Sequence, residues 1–558
     1  MFKSNIVRLL LLFSICYCEL PVNGQSYKEK NRLQLHYSIP SGWSNDPNGL
    51  IYAGGYYQLY FQYNPVDTVF GPMHWGHARS PDLIHWENMP IALKPYEKGV
   101  IYSGCAILDK NNVTGFAALN NSDASSTALI ALYTLDDNKN QSQALAYSFD
   151  NGTTWTQYEA NPVIPNQGIL DFRDPNVFER DGKFYVTLAV LDHIEFYVSS
   201  NLLSWEKVTD FGVSPDEGLK IGVWECPALL TLADEHGNKH DILIVSMNDE
   251  VHGSRTQYFI GQFNGSRFNT YDKSRILWID NGFDNYAAVP YPNDPAERVV
   301  LIGWLSNWLY AQNVTASTWR GQMTIPREMG LRTIDGALHV IQQPVVELNN
   351  IIDPARNWTL SEPFNLTGNH IMDVTSKIPF NTGSQLILNY EFDIEQVENG
   401  QIDLRFGNTK GEFVSFNYNV KERTYGFDRS NSGDVAFHPG FAGPLQRIKR
   451  ISSSQLLSGK ILLDTASIEI FADDGLNTIS ALFFPSELLE KIHLRSSIDA
   501  GKSVKVSKLR VAALKSIWSN NTMSSHGNNM NYSPQHIFLL LLIIYVCSFF
   551  SFVSNNSQ

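Results

Sequence analysis

Short apolar segments separated by glycine-containing turns recur through the first part of the chain and predict β-hairpins. Three of these strands follow such a turn, at residues 56–60, 183–188 and 241–245. Hairpins that repeat along a chain in this way are typical of a β-propeller, whose sheets pack radially around a central channel.

A second, offset repeat is a turn rich in Ser, Asp and Asn that ends on Trp. It occurs at residues 80–86, 148–155 and 200–205. The spacing is about 50–70 residues, which is the scale of one propeller blade. Both repeats therefore predict the same architecture.

Three acidic residues occupy similar places within these repeats. Asp46, Asp174 and Glu225 each precede an apolar strand, and each lies within two residues of a proline. If the repeats are equivalent blades, the three acids begin inner strands and face one funnel. A lone Asp before Pro is more often a cap on its own turn. Three acids in register, with Trp43 and Trp224 close by in sequence, favour the funnel.

Alternation of polar and apolar residues without the Trp-terminated turn characterises the second part of the chain. Residues 385–392, 413–418 and 467–471 alternate with period two, which predicts a β-sandwich. We therefore predict an all-β protein in which a β-propeller is followed by a β-sandwich. The expected boundaries are 25–345 for the propeller, 346–358 for a linker and 359–514 for the sandwich.

Both ends of the chain carry processing signals. Lys3 and Arg8 precede a short apolar run, which predicts a signal peptide over residues 1–24. Residues 515–558 contain a polar spacer and then the apolar stretch 537–553, with no Lys or Arg after it. A membrane-spanning helix is usually followed by such cations. We therefore favour a GPI attachment signal over a membrane span, and we expect a secreted or cell-surface protein.

Composition narrows the class of ligand. The formal net charge is −14 and no basic stripe occurs, which argues against nucleic acid and favours a neutral substrate.

Cys105 and Cys226 are the cysteines that lie between the terminal segments, and both are expected to be buried free thiols. Glycosylation sequons predict exposed asparagines at Asn112, Asn140, Asn151, Asn264, Asn313 and Asn365.

Two of the acids have opposite sequence surroundings, which suits glycoside hydrolysis. That reaction needs one carboxyl group to give a proton and another to attack or to activate water. Glu225 follows Trp224 and precedes Cys-Pro, an apolar frame that favours a protonated carboxyl. Asp46 lies in an Asn-Asp-Pro-Asn-Gly turn, whose donors favour the ionised form.

A series of motifs resembles, in family order, those of glycoside hydrolase family 32, which comprises invertases, inulinases and levanases. The similarity covers residues 33–514, including the sandwich. Ser44 departs from the Met that is common in the family, and Phe70 departs from a common Trp. The motifs are Trp43-Ser-Asn-Asp-Pro-Asn-Gly49, Gln62-Tyr-Asn-Pro65, Trp75-Gly-His77, Tyr102-Ser-Gly104, Phe172-Arg-Asp-Pro175, Trp224-Glu-Cys-Pro227, and Trp319-Arg-Gly with Pro326-Arg327.

The resemblance implies a five-bladed β-propeller, a β-sandwich and a retaining double displacement on β-fructosides. Asp46 is then expected to be the nucleophile and Glu225 the general acid/base, with Asp174 stabilising the transition state. No cofactor is expected. The residues expected to bind the sugar are Asn45, Gln62, Phe70, Trp75, Tyr102, Ser103, Arg173, Asp284, Tyr286 and Trp308.

Sucrose is the expected substrate, as for an invertase. An exo-inulinase or levanase acting on fructans is the nearest alternative. A non-catalytic fructan-binding surface protein and an inverting enzyme acting on arabinans are more distant ones. His74 and His77 have no third ligand near them in sequence, so packing or hydrogen bonding is expected there rather than a metal. Cys226 has no matching His, so a thiol enzyme is not favoured.

Overall fold

A computed structural model describes most of the chain apart from its two ends. The described residues are 27–120, 127–249, 251, 253–316, 318–443 and 446–518. The predicted signal peptide and the predicted C-terminal anchor lie outside them. Within the described residues, no helix is both long and apolar enough to cross a bilayer.

Within the described part of the chain, the strands up to residue 344 form five sheets. The first contains β1 Gly42–Ala53, β2 Tyr56–Asn64, β3 His74–Ser80 and β4 Glu87–Leu93. The second contains β5 Val100–Asp109, β6 Ala128–Asp136, β7 Gln141–Ser148 and β8 Thr156–Gln157. The third contains β9 Phe172–Arg180, β10 Lys183–Val190, β11 His193–Ser199 and β12 Glu206–Phe211.

The fourth and fifth sheets complete this region. The fourth contains β13 Val223–Ala233, β14 Lys239–Asp249, β15 Gly253–Phe263, β16 Phe268–Thr270 and β17 Leu277–Trp278. The fifth begins with β18 Tyr286–Tyr291 and β19 Val300–Trp304. After it, β20 Trp319–Arg320 pairs in parallel with β1. The fifth sheet ends with β21 Arg327–Ile334 and β22 Ala337–Pro344. Short 3-10 helices occur at Phe116–Leu119 and Ala311–Asn313.

The first strands of the five sheets form a closed ring. Strands β1, β5, β9, β13 and β18 contact one another in that order, and β18 contacts β1 again. Large apolar side chains fill the spaces between adjacent sheets, as where Phe196 of the third sheet and Trp224 of the fourth share one buried cluster. The inner strands therefore surround a common channel, and the prediction of an all-β propeller is confirmed.

The Trp-terminated turns all connect the third strand of a sheet to the fourth. In each turn a Ser hydroxyl bonds the side chain two residues later, as Ser80 does to Asp82 and Ser148 to Asp150. In the third repeat the bonding serine is Ser199, which pairs with Asn201. The third repeat therefore starts at Ser199. The sequence pattern placed its start at Ser200, because either of the two adjacent serines fits the pattern.

The second half of the chain forms the sandwich from two sheets. Its strands are β23 Ile352–Thr359, β24 Phe364–Thr367, β25 Asn369–Asp373, β26 Leu386–Asp393, β27 Gly400–Gly407, β28 Phe413–Asn419, β29 Thr424–Asp428, β30 Gln446–Lys449, β31 Leu456–Leu463, β32 Ser467–Ala472, β33 Asn477–Leu482, β34 Lys491–Ile498 and β35 Ser503–Leu514. One sheet has the order β23-β35-β26-β31-β32-β33, with β24 also on β35, and the other has the order β25-β34-β27-β28-β29-β30. Short 3-10 helices occur at Val346–Ile351 and Thr375–Lys377.

The predicted linker, residues 346–358, is not a free connector. Its first part is a 3-10 helix, and its second part belongs to β23, which pairs with β35 at Asn357↔Ala512. This strand is largely solvent-facing, and so it lacks the apolar alternation by which the other strands were recognised. The sandwich therefore begins earlier than predicted.

Buried ion pairs join the propeller to the sandwich. Arg327 bonds Asp280 at 2.8 Å and also contacts Glu469 of β32. Arg429 bonds Asp284 at 2.7 Å. His36 lies between two sandwich carboxylates, one of them Glu469. Such pairs need matched partners, because a buried charge left alone is strongly destabilising.

Candidate active site

Each of the five inner strands contains a β-bulge at its start. Between two successive residue pairs at the bulge, the inner strand advances by three residues while the neighbouring strand advances by two. A bulge bends its strand and re-aims the side chains around it. The bulged pairs are Asn45-Asp46, Tyr102-Ser103, Asp174-Pro175, Cys226-Pro227 and Ala287-Ala288.

The three predicted acids lie at or next to the bulges of their own strands, but they occupy three successive positions relative to the bulge. Glu225 precedes the bulged pair, Asp174 is the first bulged residue, and Asp46 is the second. The sequence prediction that they are equivalent is therefore wrong in register. The residue equivalent to Asp174 in the fourth sheet is Cys226, and both adopt the left-handed backbone region, at φ 63° and 45°.

Glu225 is bonded by its equivalents in the two neighbouring sheets. Arg173 precedes the bulge in the third sheet and Tyr286 precedes it in the fifth. The Arg173 guanidinium donates to Oε1 of Glu225 from Nε at 3.1 Å and from Nη2 at 2.9 Å. The Tyr286 hydroxyl donates to Oε2 of Glu225. Equivalent positions on adjacent inner strands thus bring a cation, a carboxylate and a phenol together.

Asp46 lies beside Glu225 and is bonded by different groups. Ser103 donates to its Oδ2 at 2.7 Å, and the Asn45 amide donates to its Oδ1 at 3.1 Å. The Cys226 thiol lies 3.5 Å from Oδ2 of Asp46 and 3.5 Å from Oδ2 of Asp174. These two carboxylate oxygens are therefore no further apart than twice that distance. The backbone N–H of Cys226 also donates to Asp174, at 3.0 Å.

Burial differs among the acids. Asp46 and Asp174 are 8% and 5% exposed, whereas the Glu225 side chain is 16% exposed. Burial, followed by the charge of Glu225, raises the pKa of Asp46 against the hydrogen bonds of Ser103 and Asn45. Burial also raises the pKa of Asp174, although Arg173 opposes that shift.

The expected surroundings of the two principal acids are observed only in part. The Asn45 amide donates to Asp46 as expected, but Asp46 lies within β1, and burial raises its pKa above the ordinary value. Glu225 is not framed by apolar groups, because its carboxylate contacts Arg173 and Tyr286. Trp224 points instead into the core between the third and fourth sheets.

Aromatic rings form one wall next to these groups. Phe70 is 37% exposed, with its ring centre 6.0 Å from that of Tyr102 and 5.7 Å from that of Trp308. The buried Trp43 packs against Trp308, with ring centres 5.7 Å apart, and donates its indole N–H to Asn45 at 2.8 Å. The wall therefore reaches the hydrogen bonds that hold Asp46.

Two further residues predicted to bind sugar make hydrogen bonds between strands. Trp75 is fully buried and donates its indole N–H to the Tyr102 carbonyl at 2.9 Å. Gln62 is buried and donates to the Asn48 side chain at 2.8 Å. These two bonds join β2 to β1 and β3 to β5, and a sugar contact of either side chain stays a prediction.

The contacts of Asp284 differ most from those that the sequence predicts. It is fully buried, and its oxygens accept from Tyr310, from Arg429 at 2.7 Å and from the Leu482 backbone N–H at 2.8 Å. These contacts hold the segment before β18 to the sandwich and to the segment that follows β19. Asp284 therefore has a structural role in place of the predicted substrate contact.

Two residues that the sequence did not indicate hold Arg173 from its other side. Its Nη1 donates to Asp171 at 2.5 Å and to the Gln141 side chain at 3.3 Å. The sequence could have indicated the contact of Asp171 with Arg173, since residues two apart in an extended segment lie on the same face. No sequence pattern could have indicated Gln141, which lies on a neighbouring sheet.

A metal site is not supported by the contacts of the best candidate group. His193, Glu195 and Asp210 lie close enough together to offer ligand atoms. The Lys207 ammonium bonds Glu195 at 2.6 Å and Asp210 at 2.7 Å, so a cation already balances them.

His77, as expected, is engaged in hydrogen bonding and packing, with Gln58 and Tyr60. Cys105 and Cys226 are buried free cysteines, as predicted.

The arrangement is suited to a reaction that uses two carboxyl groups. One, on Asp46, is buried and is linked through Asn45 to Trp43 of the aromatic wall. The other, on Glu225, is more accessible and is hydrogen-bonded on both oxygens. Such a pair can attack a carbon and protonate a leaving oxygen.

Comparison with known proteins places this geometry in context. Residues 36–344 match the glycosyl hydrolases family 32 N-terminal domain, and residues 355–513 match the family 32 C terminal. A levanase from Bacillus subtilis is 36% identical over 530 residues, spanning 92% of this chain and 76% of that protein. An invertase from Schizosaccharomyces pombe is 29% identical over 532 residues, spanning 88% and 86%.

An extracellular exo-inulinase from Aspergillus awamori is similar in both sequence and structure. It is 34% identical over 557 residues, spanning 92% of this chain and 99% of that protein. A crystal structure of exo-inulinase from the same organism has a TM-score of 0.78 at 31% identity, covering 88% of this chain and 100% of that chain.

Proposed function

The chain belongs to family 32 of the glycosyl hydrolases, and from this membership we propose that it releases terminal β-fructosyl residues by double displacement. Asp46 is the nucleophile, and Glu225 is the general acid and base. The observation that carries the proposal is the convergence of Asp46, Asp174 and Glu225 at bulges of separate inner strands.

In the first step, Asp46 attacks the anomeric carbon while protonated Glu225 gives its proton to the departing oxygen. The carbon–oxygen bond to the leaving group breaks, and an ester forms between the sugar and Asp46. The Ser103 hydroxyl, 2.7 Å from Oδ2 of Asp46, favours the ionised carboxylate that attack requires.

In the second step, Glu225 takes a proton from water as the water oxygen attacks the anomeric carbon. The ester bond breaks, and Asp46 is restored as a carboxylate. Arg173 and Tyr286 fix the Glu225 carboxylate in one place through both steps, since each holds one of its oxygens. Asp174 adds negative charge close to the positive charge that develops on the sugar.

Sucrose is the substrate we propose, and fructans are the second candidate. Phe70 is 37% exposed and its ring contacts that of Trp308, so this wall offers aromatic surface on which a leaving sugar ring packs. Fructans are favoured by the levanase and exo-inulinase relatives, each of which aligns over 92% of this chain. The ratio of kcat/KM on sucrose to that on inulin decides between them.

The catalytic proposal is tested with Asp46→Asn and Glu225→Gln, and with the exposed Glu206→Gln as control. We expect each active-site variant to lose about 10²–10⁴-fold in kcat on sucrose, and the control to keep full activity. NMR of the first-formed product in methanol should show the β-fructoside, because two displacements retain configuration. Undiminished activity of Glu225→Gln, or an inverted product, contradicts the proposal.

We also propose that the five sheets are the five blades of the propeller. The cyclic contacts of β1, β5, β9, β13 and β18 support this count.

We propose that the protein is secreted, in line with the extracellular exo-inulinase relative, and that its C-terminal segment is exchanged for a GPI anchor. Phosphatidylinositol-specific phospholipase C should then release the activity from cells. Activity that stays on washed membranes after this treatment contradicts the anchor.

A further inference from the structure

A second cavity, separate from the candidate active site, lies between the propeller and the sandwich. Its volume is about 630 Å³. Its walls come from β15 and β17 of the fourth sheet, the turn between β21 and β22, and residues 447–451 of the sandwich. None of the residues proposed for catalysis lines it. The size is within the range of about 300–1,000 Å³ that is usual for ligand sites.

The walls of this cavity carry more cations than carboxylates, although the chain as a whole has a net charge of −14. Arg450 is neutralised by Asp473 at 2.7 Å, and Asp280 by Arg327 at 2.8 Å. The cations that line it are Arg255, Arg275, Arg447, Lys449 and Arg450, and the carboxylates are Asp280 and Asp335.

Among the described residues neither Arg275 nor Lys449 has a carboxylate oxygen within 4.0 Å, although the exposed Asp272 acts on Arg275 at longer range. Arg275 donates to the Leu338 carbonyl at 3.0 Å and contacts the His339 ring. Burial, with the charge of Arg275, lowers the pKa of His339 to about 4, so this ring is neutral near pH 7. Among the residues that the structure describes, Lys449 forms no ion pair within 4.0 Å, and it is exposed.

Trp278 adds an aromatic surface to the same wall. It is half-buried, and the Arg255 guanidinium lies 5.4 Å from its ring centre. A single phosphate or sulfate ion would leave most of a cavity of this size unfilled, whereas several sugar rings would fit. Aromatic rings pack against sugar faces, and guanidinium groups bind carboxylates and sulfates through paired hydrogen bonds.

We propose that this cavity binds an anionic oligosaccharide, a short sugar chain that bears carboxylate or sulfate groups. The acids of the sugar pair with Arg275 and Lys449, and one ring packs on the wall formed by Trp278. A nucleic acid is disfavoured, since the net charge of −14 repels a long polyanion.

The test is a binding titration with the full chain. Fluorescently end-labelled trigalacturonate, a sulfated trisaccharide and the neutral oligosaccharide nystose are compared by anisotropy, first at low ionic strength and then at about 0.15 M salt. The variant is Arg275→Gln/Lys449→Gln. The matched control is Lys505→Gln, which removes an exposed cation from β35.

We expect at least one anionic probe to bind, more weakly with added salt, and about tenfold more weakly to the double variant. The control variant should bind within about twofold of the parent protein. Sucrose hydrolysis should be unchanged in all variants, which separates this site from the catalytic one.

Several results overturn the proposal. They are binding of nystose as tight as that of the charged probes, no binding of either charged probe, equal binding by the double variant, or tighter binding of a labelled DNA oligomer.

Discussion

Ser103 and Ser44 lie on neighbouring inner strands, but only Ser103 contacts the proposed nucleophile. Ser103 Oγ donates to Asp46 Oδ2 at 2.7 Å. Ser44 Oγ is buried, with no hydrogen-bond partner among the described residues. The two serines are therefore a matched pair for measuring what one hydroxyl does to the Asp46 carboxylate.

Ser103→Ala should shift the acid limb of the pH–activity profile to higher pH. The hydroxyl lowers the pKa of Asp46, so its loss raises that pKa, and the ionised nucleophile is then present only at higher pH. The lost interaction is a hydrogen bond to a charged group, worth about 1.5–3 kcal/mol, so the shift should be measurable. The measurement is kcat/KM on sucrose between pH 3 and 8.

Ser44→Ala is the control for this shift, and its acid limb should stay where it is in the parent enzyme. If both serine variants move the limb equally, the effect belongs to packing around the bulge and not to the hydrogen bond.

The alternation of side chains along a strand explains why the predicted surroundings of Glu225 are wrong. Successive side chains of a strand point to opposite faces. Trp224 therefore enters the core while Glu225 faces the channel. The groups that do contact Glu225 lie 52 and 61 residues away in sequence. Sequence neighbours could not reveal them.

At the scale of elements, the bulges of the inner strands decide which side chains meet. The second sheet contributes Tyr102 and Ser103 through a bulge that ends at Gly104. A Cβ atom on Gly104 would lie 2.2 Å from the Leu132 carbonyl oxygen and 2.6 Å from the Tyr133 Cα. Both contacts are with backbone, so a side chain here would force β5 away from β6.

Gly104→Ala should therefore lower both stability and activity. We expect a loss of at least about 1–3 kcal/mol in the free energy of unfolding, which is typical of overpacking. We also expect a fall in kcat, since Ser103 moves with the strand. Urea unfolding and sucrose hydrolysis measure the two effects.

Gly443→Ala serves as the reference substitution, because its Cβ would meet the nearest atom at 3.7 Å. It should leave both quantities unchanged. A Gly104→Ala enzyme with parental stability and kcat would show that the strand can yield at this point.

Whole-molecule stability depends on the buried ion pairs between the propeller and the sandwich. Arg429→Met leaves the Asp284 carboxylate buried without its cation, which should cost about 3–5 kcal/mol in the free energy of unfolding. The folded variant should keep its KM for sucrose, because the Asp284 side chain is fully buried and accepts from Tyr310, Arg429 and the Leu482 backbone. Urea unfolding and initial-rate kinetics test both statements.

A double variant, Asp284→Asn/Arg429→Met, distinguishes a structural role from a binding one. It should lose less stability than the two single variants together, since the partners are in direct contact. A raised KM in Asp284→Asn without any loss of stability would restore the role predicted from the sequence.

His36 makes the stability of the whole molecule depend on pH. Burial alone lowers the pKa of His36, but hydrogen bonds from both ring nitrogens, to Asp464 at 2.7 Å and Glu469 at 2.8 Å, raise it to about 9. Only the doubly protonated ring can donate to both carboxylates. The folded-state pKa therefore lies above the unfolded value of about 6.5.

This contribution should be complete below about pH 6.5 and disappear as the pH rises through about 9. We expect the free energy of unfolding to fall by roughly 3 kcal/mol over that range. His36→Gln should flatten the profile, whereas the exposed His370→Gln should not. An equally steep decline in both variants places the titrating group elsewhere.

Periodicity, turn chemistry and the choice of candidate acids were readable along the chain, because they depend on residues close together in sequence. Hairpins, the propeller followed by the sandwich, and the choice of Asp46, Asp174 and Glu225 came from such local signals. The weakly amphipathic β23 was missed because most of its side chains face solvent.

Contacts across sheets required the folded molecule. The one-residue offsets among the three acids arise from how each bulge pairs with its neighbour, and Asp284 meets Arg429 across 145 residues of sequence. A sequence pattern carries the face and period of a strand but not its register against a distant partner. That register is set by packing of the whole core, and it decides whether a carboxylate faces a substrate or a buried arginine.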